Sequence, residues 1–204
     1  KQKGEDEMLE TIQGIIRDDF LNQTTNKFYI EGQIKYKLAL ELFVRAKVEC
    51  ILEYRIPGHD PGERNSYLDI LALHQGNQYG IELKYKTRNR INADYVNQGA
   101  QNNGKYDYMN DLLRLETFKD QGYITTGYAI LLTNDPSYWR AARQGAAVAE
   151  FNLISGEYTR LHYTPRWKGR TVNLNFENQY PIQWQNQNQA KNDGNTFAYL
   201  VIEV

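Results

Sequence analysis

S-Y-L-D-I-L-A-L-H-Q-G-N-Q-Y-G-I-E-L-K-Y-K-T, residues 66–87, decides the fold. Two runs alternate apolar and polar residues, 67–73 and 79–86. Between them lies His74-Gln75-Gly76-Asn77-Gln78, and a Gly-Asn pair between alternating runs signals a tight hairpin, because glycine accepts the positive φ of such turns. With Gly76 and Asn77 as the central residues, Gln75 faces Gln78, Leu71 faces Glu82 and Asp69 faces Lys84. Side chains alternate with period two, so Asp69, Glu82 and Lys84 share one face. Asp69 and Lys84 are then roughly 5 Å apart, with Glu82 a diagonal neighbour of Asp69 at roughly 7–8 Å. The other face carries Leu68, Ile70, Ala72, Ile81, Leu83 and Tyr85 and is core.

Two carboxylates brought together repel, and a hard divalent cation relieves the repulsion. Mg²⁺ takes one or two carboxylates, keeps waters and accepts phosphate oxygens. A nearby ammonium positions a water or stabilises developing charge. The alternative for these residues is a salt-bridge ladder on a solvated sheet. Leu71 and Leu73, on the charged face, argue against plain surface.

Asp69-x12-Glu82-x-Lys84 resembles the core motif of the PD-(D/E)XK, or restriction-endonuclease-like, nuclease superfamily. Leu68 stands where that motif often has proline. The resemblance covers about residues 28–133 on a helix–three-strand–helix–strand plan. It implies an α/β fold, a mixed central β-sheet flanked by helices, and Mg²⁺-dependent hydrolysis of DNA phosphodiesters, with Mn²⁺ able to substitute. It also implies roles. Asp69, Glu82 and the carbonyl of Leu83 bind metal; Lys84 orients or activates water. A glutamate of the first core helix supports the site, either Glu31 or Glu41. Restriction, phage defence or repair is the implied setting, with DNA as partner and a homodimer as the assembly.

Around this stretch, 204 residues suit one domain, residues 1–204, with 134–204 as a C-terminal helix and β-rich extension. The formal net charge of −1 gives no global nucleic-acid signal, leaving a local basic strip as the requirement. A single cysteine, Cys50, excludes a disulfide framework and a four-cysteine metal site. No apolar run approaches the ~20 residues of a membrane span. The charged start, residues 1–7, lacks a signal-peptide core, so a cytoplasmic location is expected.

Helical spacing marks residues 5–20 and 31–46, and Ile34, Leu38 and Leu42 form the second stripe. Residues 48–56 alternate as a strand, with Glu53 a distant candidate for the site. Residues 57–65 read as a loop in which His59 and Asp60 either touch substrate or are simply solvated. Lys86, Arg88 and Arg90 form a basic exit from the hairpin that can hold phosphates. Residues 92–104 read as a loop, where Gln98, Gln101 and Asn102 are candidates for sugar or base contacts. A helix is expected over 105–120, a buried strand over 127–133 and a helix over 138–149 bearing Trp139, Arg140 and Arg143. Arg160, His162, Arg166, Trp167, Lys168, Arg170 and Trp184 mix aromatic and basic types, suiting either nucleic-acid stacking or core packing. A strand over 197–204 ends the chain.

Overall fold

A computed structural model describes residues 12–22, 28, 30–57, 67–88, 101–143, 145–164, 166–167, 170–186 and 197–204. The first described segment is helical and becomes a π-helix over Ile15–Leu21. Then come helix α1 (Glu31–Ala46), strands β1 (Glu49–Arg55), β2 (Tyr67–His74) and β3 (Asn77–Lys86), helix α2 (Gln101–Asp120) and strand β4 (Thr126–Thr133). The remainder holds a short 3-10 helix, Ala147–Phe151, and six strands: β5 (His162–Tyr163), β6 (Arg166–Trp167), β7 (Arg170–Thr171), β8 (Leu174–Asn175), β9 (Trp184–Asn186) and β10 (Ala198–Glu203).

One six-stranded mixed sheet, ordered β1-β2-β3-β4-β10-β9, organises these elements. All its pairs are antiparallel except β3–β4, whose crossover is α2. β4 is buried along its whole length, which explains why it reads as a nearly continuous apolar run. On one face, Ile34, Leu38 and Leu42 of α1 and Ile15, Ile16 and Phe20 of the π-helix cover Ile70, Ala72, Ile81, Leu83 and Tyr85. On the other, Tyr108, Leu112 and Leu115 of α2 pack with Leu71, Leu131 and Leu200, and the C-terminal extension adds Phe151, Tyr163 and Phe176.

The hairpin turn differs from the expected one. Gln75 and Gly76 are its central residues, at φ 48° and 84°, and His74 faces Asn77. Positive φ at both positions is the type I′ geometry, whose twist matches that of the flanking strands. Ile70 therefore pairs Ile81, and the register shifts by two residues from the Gly76-Asn77 reading. A shift of two preserves parity, so the apolar set still faces α1. The exception is Leu68, which joins the α2-side core.

α2 lies close to the sheet because two glycines sit beneath it. Gly80 and Gly127 are register partners across β3 and β4. A Cβ on Gly127 would come within 2.9 Å of Leu115 Cβ, and one on Gly80 within 3.0 Å of the Ile124 side chain. Three other expectations change. Residues 101–104 are the first turn of α2, not loop; Pro136 to Arg140 form turns before the 3-10 helix, so 138–149 is not an α-helix; and the first strand is trimmed to Glu49–Arg55.

Candidate functional site

The β2–β3 ladder runs from His74↔Asn77 to Ile70↔Ile81, and the next residues in line are Asp69 and Glu82. There the strands fork. Strand N–H groups facing the gap need acceptors, and acidic side chains supply them: Asp69 Oδ2 accepts from Leu83 N at 2.8 Å, and Glu31 Oε2 from Tyr85 N at 2.8 Å. Glu31 is the first residue of α1, so the start of that helix is tied directly to the fork.

Behind the fork, α2 closes over Glu82 and Lys84. Lys84 Nζ lies 2.7 Å from Asp111 Oδ2, and Arg114 bridges Glu82 Oε1 (3.1 Å) and Asp111 Oδ1 (3.2 Å) while also donating to the Tyr67 carbonyl. Glu82 is only 3% exposed. Its Oε1 and Asp111 Oδ2 meet cations but make no well-formed hydrogen bond. Burial, then the Asp111 charge, pushes the Glu82 carboxyl well above the usual carboxylate range. Burial opposes the Lys84 charge, but the Asp111 carboxylate holds its ammonium above the ordinary lysine value. Burial also raises Glu31, against the pull of Lys84. A cleft of about 360 Å³ opens here, lined by Glu31, Lys84, Lys86, Asp107, Asn110, Asp111 and Arg114.

Asp69 is reached from α1. Lys35 Nζ lies 2.7 Å from Asp69 Oδ1 and also contacts Glu53 Oε1. The expected Asp69–Lys84 pairing is therefore corrected: Asp69 takes Lys35, and Lys84 takes Asp111.

Glu31, Asp69, Glu82, Lys84 and Lys86 thus meet at one fork, with Leu83 between Glu82 and Lys84. Glu41 does not: it pairs with Lys37 and Arg45 along the helix. Glu53 comes within reach through Lys35. Arg88 lies past the end of β3, its backbone held both ways by the Asn134 side chain and its guanidinium 4.0 Å from Asp135. Gln101 opens α2, but its side chain, that of Asn102, and all of Arg90, Gln98, His59 and Asp60 lie outside the described residues. So do Lys168 and the side chains of Arg166, Trp167 and Arg170. Trp139 packs on the core against Trp184, whose indole donates to Leu153 O, while Arg140 and Arg143 are exposed. Arg160 pairs with Glu150, and His162 meets Asn175. Cys50 is half-buried, its thiol pushed up to about 11 by burial. Asp111, Arg114 and Lys35 are the site residues that hairpin reasoning missed. The available signal was the polar stripe Asp107, Asp111, Arg114, one helical turn apart each.

The donors at the fork are carboxylate oxygens (Glu31, Asp69, Glu82, Asp111), the type a hard divalent cation takes, and Glu82 Oε1, though beside Arg114, makes no well-formed hydrogen bond. Among the described residues no group of three or more acidic, histidine or cysteine side chains is placed to hold a metal ion. Comparison with protein-family models, curated proteins and solved structures found no match.

Proposed function

We propose that the chain is a Mg²⁺-dependent nuclease of the PD-(D/E)XK type, hydrolysing DNA phosphodiester bonds. One observation carries the reading: Asp69 and Glu82 are adjacent in line where a hairpin forks, Lys84 follows two residues on, and Glu31 binds the same fork from the preceding helix. The order α1-β1-β2-β3-α2-β4 follows the restriction-endonuclease-like plan and supports the same reading. Asp69, Glu82 and the Leu83 carbonyl would hold Mg²⁺ or Mn²⁺. A bound ion supplies an acidified water and neutralises charge on a phosphoryl oxygen. Lys84, fixed by Asp111, orients the attacking water; Arg114 holds Glu82; Glu31 keeps Tyr85 N, and so the strand end, in place. Lys86, on the cleft, and Arg88, beyond the strand, hold the DNA backbone.

Restriction, phage defence or repair in the cytoplasm is the proposed setting. No helix among the described residues is long and apolar enough to cross a membrane. A homodimer would cut both strands of a duplex, and α1 offers an outward apolar stripe, Tyr36, Leu40 and Val44, spaced evenly about Leu40. Light scattering of wild type and Leu40→Glu tests it: a dimer that the variant abolishes is expected, and a monomeric wild type refutes it.

The decisive test is cleavage of plasmid and linear DNA with Mg²⁺ or Mn²⁺, beside EDTA and Lys84→Ala. Metal-dependent cutting lost in Lys84→Ala is expected. A second reading is favoured by the cations already seated on Asp69, Glu82 and Asp111: an inactive nuclease-fold protein that binds nucleic acid. DNA retention without cutting by folded wild type would select it.

A further inference from the structure

Lys35 is the least expected member of the fork. It stands one turn after Glu31 on α1, with a side chain only 11% exposed. Its ammonium touches Asp69 on one side and Glu53 on the other. Asp69 therefore has one oxygen on a backbone N–H and the other on an internal cation.

The backbone is shaped around this contact. Glu53 adopts φ 50°, a left-handed conformation that L-residues other than glycine rarely take. The β1–β2 ladder passes from Leu52↔Ile70 to Tyr54↔Leu68, omitting the Glu53–Asp69 pair between them. A local departure from regular strand geometry at one residue redirects its side chain, and this one coincides with the Glu53 carboxylate on Lys35. The two acceptors differ in setting. The Asp69 side chain is 15% exposed, whereas that of Glu53 is 65% exposed. A lysine on a flexible four-carbon stem can leave the inner acid and remain on the outer one.

We infer that Lys35 is the internal counter-ion of the metal site: it neutralises Asp69 in the metal-free protein, withdraws onto Glu53 when a divalent cation binds, and so sets how tightly the metal is held. The inference rests on the nuclease reading and adds a regulator of metal occupancy to it. Seated between two carboxylates, the ammonium competes with a metal for Asp69.

Mn²⁺ titration by calorimetry tests this on wild type, Lys35→Met, Lys35→Gln and Lys35→Arg, each checked for folding by circular dichroism. Both neutral variants should bind Mn²⁺ roughly tenfold or more tightly, the order of effect of removing a neighbouring unit charge that a divalent ion must otherwise displace, even at solvent-like screening. Lys35→Arg should bind like wild type. Lys35→Gln retains a donor for Asp69 and serves should Lys35→Met not fold. Equal or weaker binding by the neutral variants overturns the role of Lys35 while leaving the metal site standing. Absence of Mn²⁺ binding in all four proteins overturns the nuclease reading and this inference together.

Discussion

Glu82 and Glu116 are both almost wholly buried acids on the α2 side of the sheet, and they are solvated in opposite ways. Glu116 accepts from neutral donors: Glu177 N and Asn178 N at 3.0 Å, Asn178 Nδ2 at 3.2 Å and Tyr180 Oη at 2.7 Å. It ties the C-terminal extension to α2. Glu82 is instead surrounded by charge, with Arg114 in ionic contact, Asp111 and Asp69 repelling it, and an oxygen without a well-formed hydrogen bond. Buried polar groups that serve folding are normally satisfied by hydrogen bonds. An unsatisfied acid beside a cleft, with its proton affinity strongly raised, is the pattern of a group kept for a ligand.

The sharpest test swaps each acid for its amide. Glu116→Gln places an NH2 against donor groups and should destabilise by about 3 kcal/mol, lowering the unfolding temperature by roughly 6–12 °C in a chain this long. Glu82→Gln should alter stability by no more than about 1 kcal/mol, since its amide oxygen still accepts from Arg114 and burial already disfavours a charge there, yet it should abolish cleavage. Thermal unfolding of the two variants breaks the comparison if their order is reversed.

A buried charge of opposite sign, Lys105 on α2, sharpens it from the other side. Lys105 is 3% exposed, and burial pulls its amine down to about 8 despite Asp135. Below that value the amine is charged both folded and unfolded. From about 8 to its ordinary 10.5 the unfolded chain binds more protons, so stability rises with pH across this window. Lys105→Met should remove that rise and stabilise the protein at pH 7 by roughly 2–3 kcal/mol. Urea unfolding from about pH 7 to 9.5 checks both; an unchanged slope would mean that the buried ammonium is compensated.

A smaller effect than that of Glu116→Gln concerns the seating of α2. Gly127→Ala must push against Leu115 Cβ at 2.9 Å and should cost about 1–3 kcal/mol. It should also slow cleavage, by moving Asp111 and Arg114 off Lys84 and Glu82. A variant as stable and active as wild type would mean that the helix is positioned by other contacts.

The hairpin and its flanks were legible because each strand and helix announced itself by periodicity. The α1 bounds emerged as expected, and so did the apolar face of β3. The turn was misplaced because Gly-Asn is the stronger local signal, whereas the chain puts the unfavoured Gln75 at positive φ. The face survived because the error was two residues. The cation partners were not legible. Lys35, Asp111 and Arg114 lie on helices away from the hairpin in sequence, and only the fork and the glycine-seated helix bring them to it. The Glu116 anchor joins residues 61 to 64 positions apart, beyond any local pattern.

The central claim, that the fork is kept for a metal and not for stability, is tested most directly by thermal unfolding of wild type and Glu82→Gln across a Mn²⁺ titration. A ligand that binds only the folded state at a hundred times its Kd stabilises by about 2.7 kcal/mol. The unfolding temperature of wild type should rise and saturate with Mn²⁺, and that of Glu82→Gln should not. No rise in wild type, or an equal rise in both proteins, would contradict it.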